Sequence, residues 1–465
     1  MHRTTQDGFI RELGALREKA RTEGFFSASR DSAVAALRKD RLSAIDLAAL
    51  LSPDAALELE ALAVRAQAET LRHFGKGVQL FAPLYLANYC TNRCVYCGFH
   101  AGTGIARTAL EPEDVEQEAR ALAATGLRRV LCLTGDAPKR TGAAYIAACV
   151  GILARHFPSV GIEVQALTED EYRQVCHAGA DSMTMFQETY DPELYESLHP
   201  AGPKRDFAFR LEAPQRAALA GMRGITLGAL LGLGGWRYDA FMLAMHATWL
   251  SQRFPHLELS ISLPRIRPVD ESGGASGRNR EGGWLEPGAG SSGAGWPAAD
   301  GSRNAGKASG PGPGFTPSPV KDKDFVQALT ALRCFLPHMG ITLSSRESAF
   351  LRDKLIPLGV TRVSAGVRTS VGGYAAAPQE TGDSAFWGTE GLASRACASG
   401  SDAHADKPVQ FVIDDTRSVK EMEAALLAIG YQPVFADWLL PEKGNLPLAR
   451  GLRIGLALVE ESCAT

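Results

Sequence analysis

The stretch Phe81-Ala82-Pro83-Leu84-Tyr85-Leu86-Ala87-Asn88-Tyr89-Cys90-Thr91-Asn92-Arg93-Cys94-Val95-Tyr96-Cys97-Gly98-Phe99-His100 decides the reading of this chain. It opens on the apolar run Leu80–Ala87, the pattern of a strand buried on both faces of a parallel sheet. It then places three cysteines, with three and two residues between them, directly after that strand. Three thiolates on one short loop can hold three corners of a [4Fe–4S] cubane and leave the fourth iron without a protein ligand. An open metal position is what a reacting molecule needs. Zinc is the competing reading, with His100 as a fourth ligand of a closed site. A ligand triplet set straight after a buried strand suits the cluster better.

Outward from this loop the chain alternates short apolar runs with amphipathic stretches. Strands are expected at Leu80–Ala87, Arg129–Leu133, Glu163–Ala166, Ser182–Phe186, Ile225–Leu230, Leu257–Ser262, Ile341–Ser344 and Arg362–Ala365. Helices are expected at Thr168–Ala178, Phe207–Ala220, Tyr238–Arg253 and Asp324–Leu336. Repeated βα units imply a parallel sheet with right-handed crossovers. Eight of them point to an α/β fold closed as a (β/α)8 TIM-type barrel rather than an open doubly wound sheet. The cysteine loop then lies at the C-terminal mouth, where such barrels keep their chemistry.

Residues 1–75 read as a helical extension covering one end of the barrel, with a capping box at Ser43–Asp46 and a stop at Gly75. The barrel is assigned to 76–368 and a C-terminal extension to 369–465. Residues 270–320 hold 14 of the 48 glycines. With so few aliphatics they cannot offset their ordering entropy, so a disordered low-complexity insertion is expected there. A second weak patch, 376–407, reads as loop. A helix at Ser418–Ile429, stopped by Gly430, and a short strand at Tyr431–Phe435 follow.

Composition excludes several classes. Of 465 residues, 45% are hydrophobic and 22% charged, and 49 basic against 52 acidic residues leave a net charge of −3. No basic excess marks a nucleic-acid binder. No apolar run is long enough to span a bilayer, and the N-terminus lacks an apolar signal core, so a cytoplasmic protein without membrane contact is expected. Nine scattered cysteines are not a disulfide framework. Cys132, Cys149, Cys176 and Cys334 read as core residues.

The CxxxCxxC spacing followed by Gly-Phe resembles the signature of radical S-adenosylmethionine (AdoMet) enzymes. The flanking sequence resembles one branch of them, 2-iminoacetate synthase, the tyrosine lyases of thiamine biosynthesis. The matching segments are Pro83–His100, Gln187–Tyr190, Lys204–Pro214, Leu227–Leu233, Ser262–Pro268, Leu343–Asp353 and Gly372–Tyr374. They span about residues 70–440, interrupted by the glycine-rich segment.

The resemblance implies roles. Cys90, Cys94 and Cys97 hold the [4Fe–4S] cluster. Gly135 and Asp136 match the element that holds the amino end of AdoMet, with Asp136 replacing the usual Glu. Glu188 matches an acidic AdoMet contact, Arg210 the arginine that pairs with the AdoMet carboxylate, and Tyr96 is set to lie against the adenine. Arg346 matches the arginine that binds a substrate carboxylate; Ser364 and Tyr85 match positions that hold its amino group. Arg265, by its place after the sixth strand, is expected to point into the same mouth.

The implied activity is reductive cleavage of AdoMet to methionine and 5′-deoxyadenosine, with L-tyrosine broken at Cα–Cβ into 2-iminoacetate and 4-cresol. Implied partners are thiazole synthase (ThiG) and a flavodoxin or ferredoxin reductant. One alternative is a HydG-like tyrosine lyase of [FeFe]-hydrogenase maturation. Its second, C-terminal cluster motif would fall near Phe435–Trp438, where this sequence has no cysteine. Another alternative is a non-catalytic Fe–S protein.

Overall fold

The structure, a computed structural model, describes residues 8–267, 317–375 and 410–435. Eight strands close into a parallel barrel: β1 (Gly77–Ala87), β2 (Arg129–Thr134), β3 (Ser159–Glu163), β4 (Ser182–Glu188), β5 (Gly224–Ala229), β6 (Glu258–Ser262), β7 (Gly340–Leu343) and β8 (Arg362–Ser364). Their order is β2-β3-β4-β5-β6-β7-β8-β1, and pairing of β1 with β2 completes the circle. A short β9 (Gln432–Val434) adds to the foot of β1 in parallel register.

Every second strand residue faces inward. On β1 these are Phe81, Pro83 and Tyr85; on β2 Arg129, Leu131 and Leu133; on β3 Gly161 and Glu163. The interior becomes polar through Ser182, Thr184, Thr226, Ser262, Thr342 and Ser364. At the floor the Arg362 guanidinium donates to Gln79, Ser260 and Glu258, tying β8 to β1 and β6. The outward residues of the same strands, such as Val130, Val160, Ile162 and Ile261, are buried against the outer helices.

Among the described residues four helices precede the barrel: α1 (Phe9–Arg21), α2 (Arg30–Leu37), α3 (Ala44–Leu50) and α4 (Leu59–Phe74). The Ser43–Asp46 capping box starts α3, and Gly75 at φ 61° ends α4. The barrel's outer helices are α5 (Pro112–Ala123), α6 (Ala143–Leu153), α7 (Glu169–Ala178), α8 (Pro192–Leu198), α9 (Phe207–Leu211), α10 (Ala213–Leu219), α11 (Trp236–Arg253), α12 (Asp322–Phe335) and α13 (Ala349–Gly359). The N-terminal helices pack on α11, α12 and α13. Gln327 of α12 donates to the carbonyls of Leu50 and Ser52, and Arg237 to that of Leu51.

Two expectations need correction. The single helix Phe207–Ala220 is two, α9 and α10, parted at Glu212. Pro214 cannot donate the N–H that a continuous helix requires, and it disfavours helical backbone just before it. The third strand, expected at Glu163–Ala166, is Ser159–Glu163. A glycine inside a strand weakens the sequence signal. Here Gly161 belongs inside the barrel, where a Cβ would meet Ser182 Oγ at 3.0 Å and Leu131 at 3.1 Å. The shift of frame carries Glu163 from the floor to the mouth.

After the barrel come α14 (Val419–Ala428) and β9. Gly430, at φ 76°, lies between them. The segments expected to be loop or insertion, 270–320 and 376–407, fall almost wholly outside the described residues, as do Cys397 and Cys463. Among the described residues no helix is long and apolar enough to cross a membrane.

Candidate active site

The cysteine loop is fixed from several directions. Thr91 N–H donates to the Asp136 carbonyl at 2.8 Å, Arg93 N–H to Ala201 at 3.0 Å, Val95 N–H to Leu198 at 3.2 Å and Gly98 N–H to Gln410 at 3.3 Å. The Arg107 guanidinium gathers the carbonyls of Asn88, Phe99 and His100. Gly135 lies so close beneath the loop that a Cβ would stand 2.4 Å from the Tyr89 carbonyl and 3.1 Å from Cys90 Cβ. Glycine is therefore required there by contact with the loop itself. The Asp136 carboxylate accepts from Asn92 Nδ2 at 2.7 Å. The side chain that replaces Glu is thus engaged with the loop.

Cys94 is buried, Cys90 and Cys97 half-buried. Burial is the main force pushing all three thiols above their ordinary range, Cys90 to about 11. Neighbouring thiols and Asp136 add to the rise at Cys90 and Cys94. Such a donor set favours thiolates only when a strong positive charge joins it, which the irons of a cluster supply. Among the described residues no three His, Cys, Asp or Glu side chains converge on a position for one metal ion. A cubane asks for something else, three thiolates each on its own iron. His100 Nδ1 accepts from Gly102 N–H within its own turn. The zinc reading gains nothing from it.

A cavity opens beside Cys97 and runs into the barrel. Its upper wall includes Tyr85, Tyr96, Glu163, Glu188, Lys204 and Arg346, with Ser364 on β8. Tyr96 is buried, and its hydroxyl donates to His199 Nε2 at 2.7 Å. His199 Nδ1 in turn donates to the Tyr195 carbonyl at 2.7 Å. Burial holds that imidazole neutral, down at about 2, which fits this donor–acceptor arrangement.

Glu188 stands in left-handed backbone at φ 71°, the single non-glycine with positive φ among the described residues. The β4–β5 register slips at the same point, between Phe186 and Glu188. Such strain persists where the surroundings over-determine it, and it clusters at functional sites. Here the Glu188 carboxylate meets Lys204 Nζ at 2.6 Å and Arg210 at 3.9 Å. Arg210 Nε donates to the Phe186 carbonyl at 2.8 Å.

A segment after the barrel closes this region. Tyr85 hydroxyl donates to Gln410 Oε1 at 2.7 Å, and the Arg346 guanidinium stacks on the Phe411 ring, 3.5 Å from its centroid. Asp414 and Asp415 N–H groups both donate to the Ser345 carbonyl. Arg352 and Arg417 bind the Asp415 carboxylate from two sides.

Comparisons with known proteins place the chain in a family. The radical SAM superfamily model matches residues 84–246, and the biotin and thiamin synthesis associated domain matches 262–432. The 2-iminoacetate synthases of Escherichia coli and Salmonella typhimurium are each 34% identical over 404 residues, covering 87% of this chain and 89% of theirs. The chain belongs to the 2-iminoacetate synthase family of radical SAM enzymes. The crystal structure of HydG, the [FeFe]-hydrogenase maturase from Carboxydothermus hydrogenoformans, superposes with a TM-score of 0.70. That match has 26% identity and covers 92% of this chain and 84% of HydG.

Within this radical SAM enzyme, the expected residues do not all converge. Cys97, Tyr85, Tyr96, Glu188, Arg346 and Ser364 line one cavity. Gly135 and Asp136 underlie the cysteine loop, and Arg210 backs Glu188. Arg265 departs from expectation: it does not enter the mouth. Its guanidinium is taken up by Glu347, by Asp322 at 2.7 Å and by the Val320 carbonyl at 2.9 Å. It also lies over the Phe325 ring. A buried arginine so engaged is a structural ion pair. Lys204, His199, Glu163, Gln410 and Phe411 were not singled out from the sequence. Lys204 alone stood inside a matching segment, Lys204–Pro214.

Proposed function

We propose that this enzyme cleaves L-tyrosine between Cα and Cβ to give 2-iminoacetate and 4-cresol, with methionine and 5′-deoxyadenosine, for thiazole formation. The observation that carries this reading is one cavity faced both by Cys97 of the cluster loop and by Arg346, Tyr85 and Ser364. A group for binding a carboxylate and groups for binding an amine therefore stand beside the cysteine loop, the arrangement an amino acid substrate needs. Cys90, Cys94 and Cys97 would hold the [4Fe–4S] cluster, and Glu188, Lys204 and Arg210 with the Gly135–Asp136 turn would hold AdoMet. When bound, the reduced cluster and AdoMet together supply a 5′-deoxyadenosyl radical.

The protein's own part is to position and shield. Arg346, its guanidinium plane set by Phe411, takes the substrate carboxylate in a bidentate pair. Tyr85, oriented by Gln410, and Ser364 take the amino group. Gln410 and Phe411 lie over Tyr85 and Arg346 at the mouth and limit the access of water, which would hydrolyse the imine. Because 2-iminoacetate hydrolyses, it is handed on to thiazole synthase, and a flavodoxin or ferredoxin delivers the electron.

The similarity to HydG favours a second reading, further breakdown of the product to CO and cyanide. The absence of a cysteine near Phe435–Trp438 speaks against it. The test is an anaerobic assay of reconstituted protein with AdoMet, dithionite and L-tyrosine. Equimolar 5′-deoxyadenosine, 4-cresol and glyoxylate, the imine's hydrolysis product, are expected without CO or cyanide. Deoxyadenosine without cresol would overturn the substrate.

A further inference from the structure

We propose that Glu163 takes the proton from the substrate's ammonium group, leaving a neutral amine for hydrogen-atom abstraction. This deepens the tyrosine lyase reading and rests on it.

The geometry begins with register. Tyr85 pairs with Leu133 across β1 and β2, and Leu133 pairs with Glu163 across β2 and β3. Tyr85 and Glu163 thus stand at one level of the barrel, two strands apart, and both face the cavity. After burial, the Glu163 carboxylate is the largest influence raising the Tyr85 phenol. In the proposed binding mode Tyr85 holds the amino end of the substrate, so Glu163 is beside that same end.

The other acids near the mouth are engaged. Glu188 on β4 is paired with Lys204 and lies near Arg210; Asp136 accepts from Asn92. Among the described residues the Glu163 carboxylate accepts no hydrogen bond, although it faces a cavity that could carry a donor. The charges that act on it are Glu188, Arg346 after β7, Arg210 and Lys204. Arg129 of β2 lies deeper in the same cavity. Burial first, and then Glu188, lift Glu163 from 4.5 to about 7. A base poised near neutrality is matched to proton transfer at working pH.

An amino acid enters at neutral pH as its ammonium form. That nitrogen has no lone pair to share the unpaired electron that abstraction leaves behind. In the proposed step one ammonium N–H bond breaks, its electron pair stays on nitrogen, and the proton goes to a Glu163 oxygen. The products are a neutral amine and a carboxylic acid, and no electron changes hands. The arginine-bound carboxylate keeps the substrate from drifting while the proton moves.

The experiment follows 4-cresol turnover from about pH 6 to about pH 9 in reconstituted wild type, Glu163→Gln and Glu163→Asp, with iron content and AdoMet binding measured alongside. In wild type, turnover is expected to rise through about 7 as Glu163 loses its proton. Glu163→Gln should fall on the order of a hundredfold in kcat, with little change in KM, and lose that rise. Glu163→Asp should recover part of the rate with the rise displaced. A Gln variant at the wild-type rate, with the same pH rise, overturns the assignment. Should the Gln variant not assemble its cluster, an Asp variant whose rise is undisplaced overturns it equally. Wild type that forms no 4-cresol overturns the substrate reading and this assignment together. Cresol formed equally by wild type and Gln variant overturns the assignment alone.

Discussion

Glu347 and Glu163 are both carboxylates at the C-terminal side of the barrel, just beyond β7 and at the end of β3, yet their surroundings are opposite. Glu347 is 1% exposed and accepts from Arg265 through two nitrogens and from Arg267 at 2.8 Å. Every charge there has a partner within the protein, and none of these three residues lines the cavity. Glu163 opens on the cavity, beside Arg346, without an accepted hydrogen bond among the described residues. Satisfied charge fixes loops; charge left open to a cavity is available to a ligand. Arg265, placed in the mouth by sequence position and found in the first cluster, illustrates how readily the two are confused.

The comparison can be broken by removing one member of each cluster. Glu347→Ala leaves Arg265 and Arg267 buried without their counter-charge. A loss of roughly 3–5 kcal/mol of folding stability is expected, read from denaturant unfolding. Arg346→Ala should act the other way, costing about 3 kcal/mol of transition-state stabilisation, roughly a hundredfold in kcat/KM for tyrosine. Its unfolding midpoint should barely move, because Arg346 ties fewer protein groups than Arg265 does. If Arg346→Ala unfolded the protein while Glu347→Ala impaired only turnover, the two clusters would exchange roles.

The buried histidines sharpen the contrast. His199 and His246 are held neutral by burial, at about 2 and about 3. A folded value below the ordinary 6.5 means that their stabilisation is full above about pH 6.5 and is lost as pH falls. Each should cost on the order of 2 kcal/mol by about pH 5, seen as a falling thermal midpoint that His246→Gln reduces. Glu163 has the opposite sign. Its folded value of about 7 lies above the ordinary 4.5, so its contribution is full at acid pH and fades as pH rises through about 7. Glu163→Gln should therefore gain roughly 3 kcal/mol over wild type at alkaline pH and nothing below about pH 4.5.

Much of the barrel was legible because its signals are local. The apolar run before Cys90, the Thr168–Glu171 capping box and the alternation of strands and helices are read within a dozen residues. The cysteine triplet is as local as a site can be. What escaped depends on neighbours far apart in the chain. Gln410 reaches Tyr85 across 325 residues, Phe411 reaches Arg346 from beyond the barrel, and His199 finds Tyr96 only through folding. Glu163 was lost to a slip of four residues in one strand, which turned a mouth residue into a floor residue. Period-two patterns carry no mark of where a strand ends, and Gly161 weakened the one that mattered.

The tail has a mechanical consequence. The segment 410–435 meets β1 twice, through Gln410 on Tyr85 near the top and through β9 on Gly77–Gln79 at the foot. At a strand's rise, Gln79 and Tyr85 stand about 20 Å apart, nearly the height of the barrel. Between these anchors the chain is fastened at Ser345, by Asp415 to Arg352, and at Gly366. It works as a strap clasped to both ends of one strave of the barrel, the one that leads into the cysteines. A pull on the tail is therefore felt by the strand that carries the cluster loop.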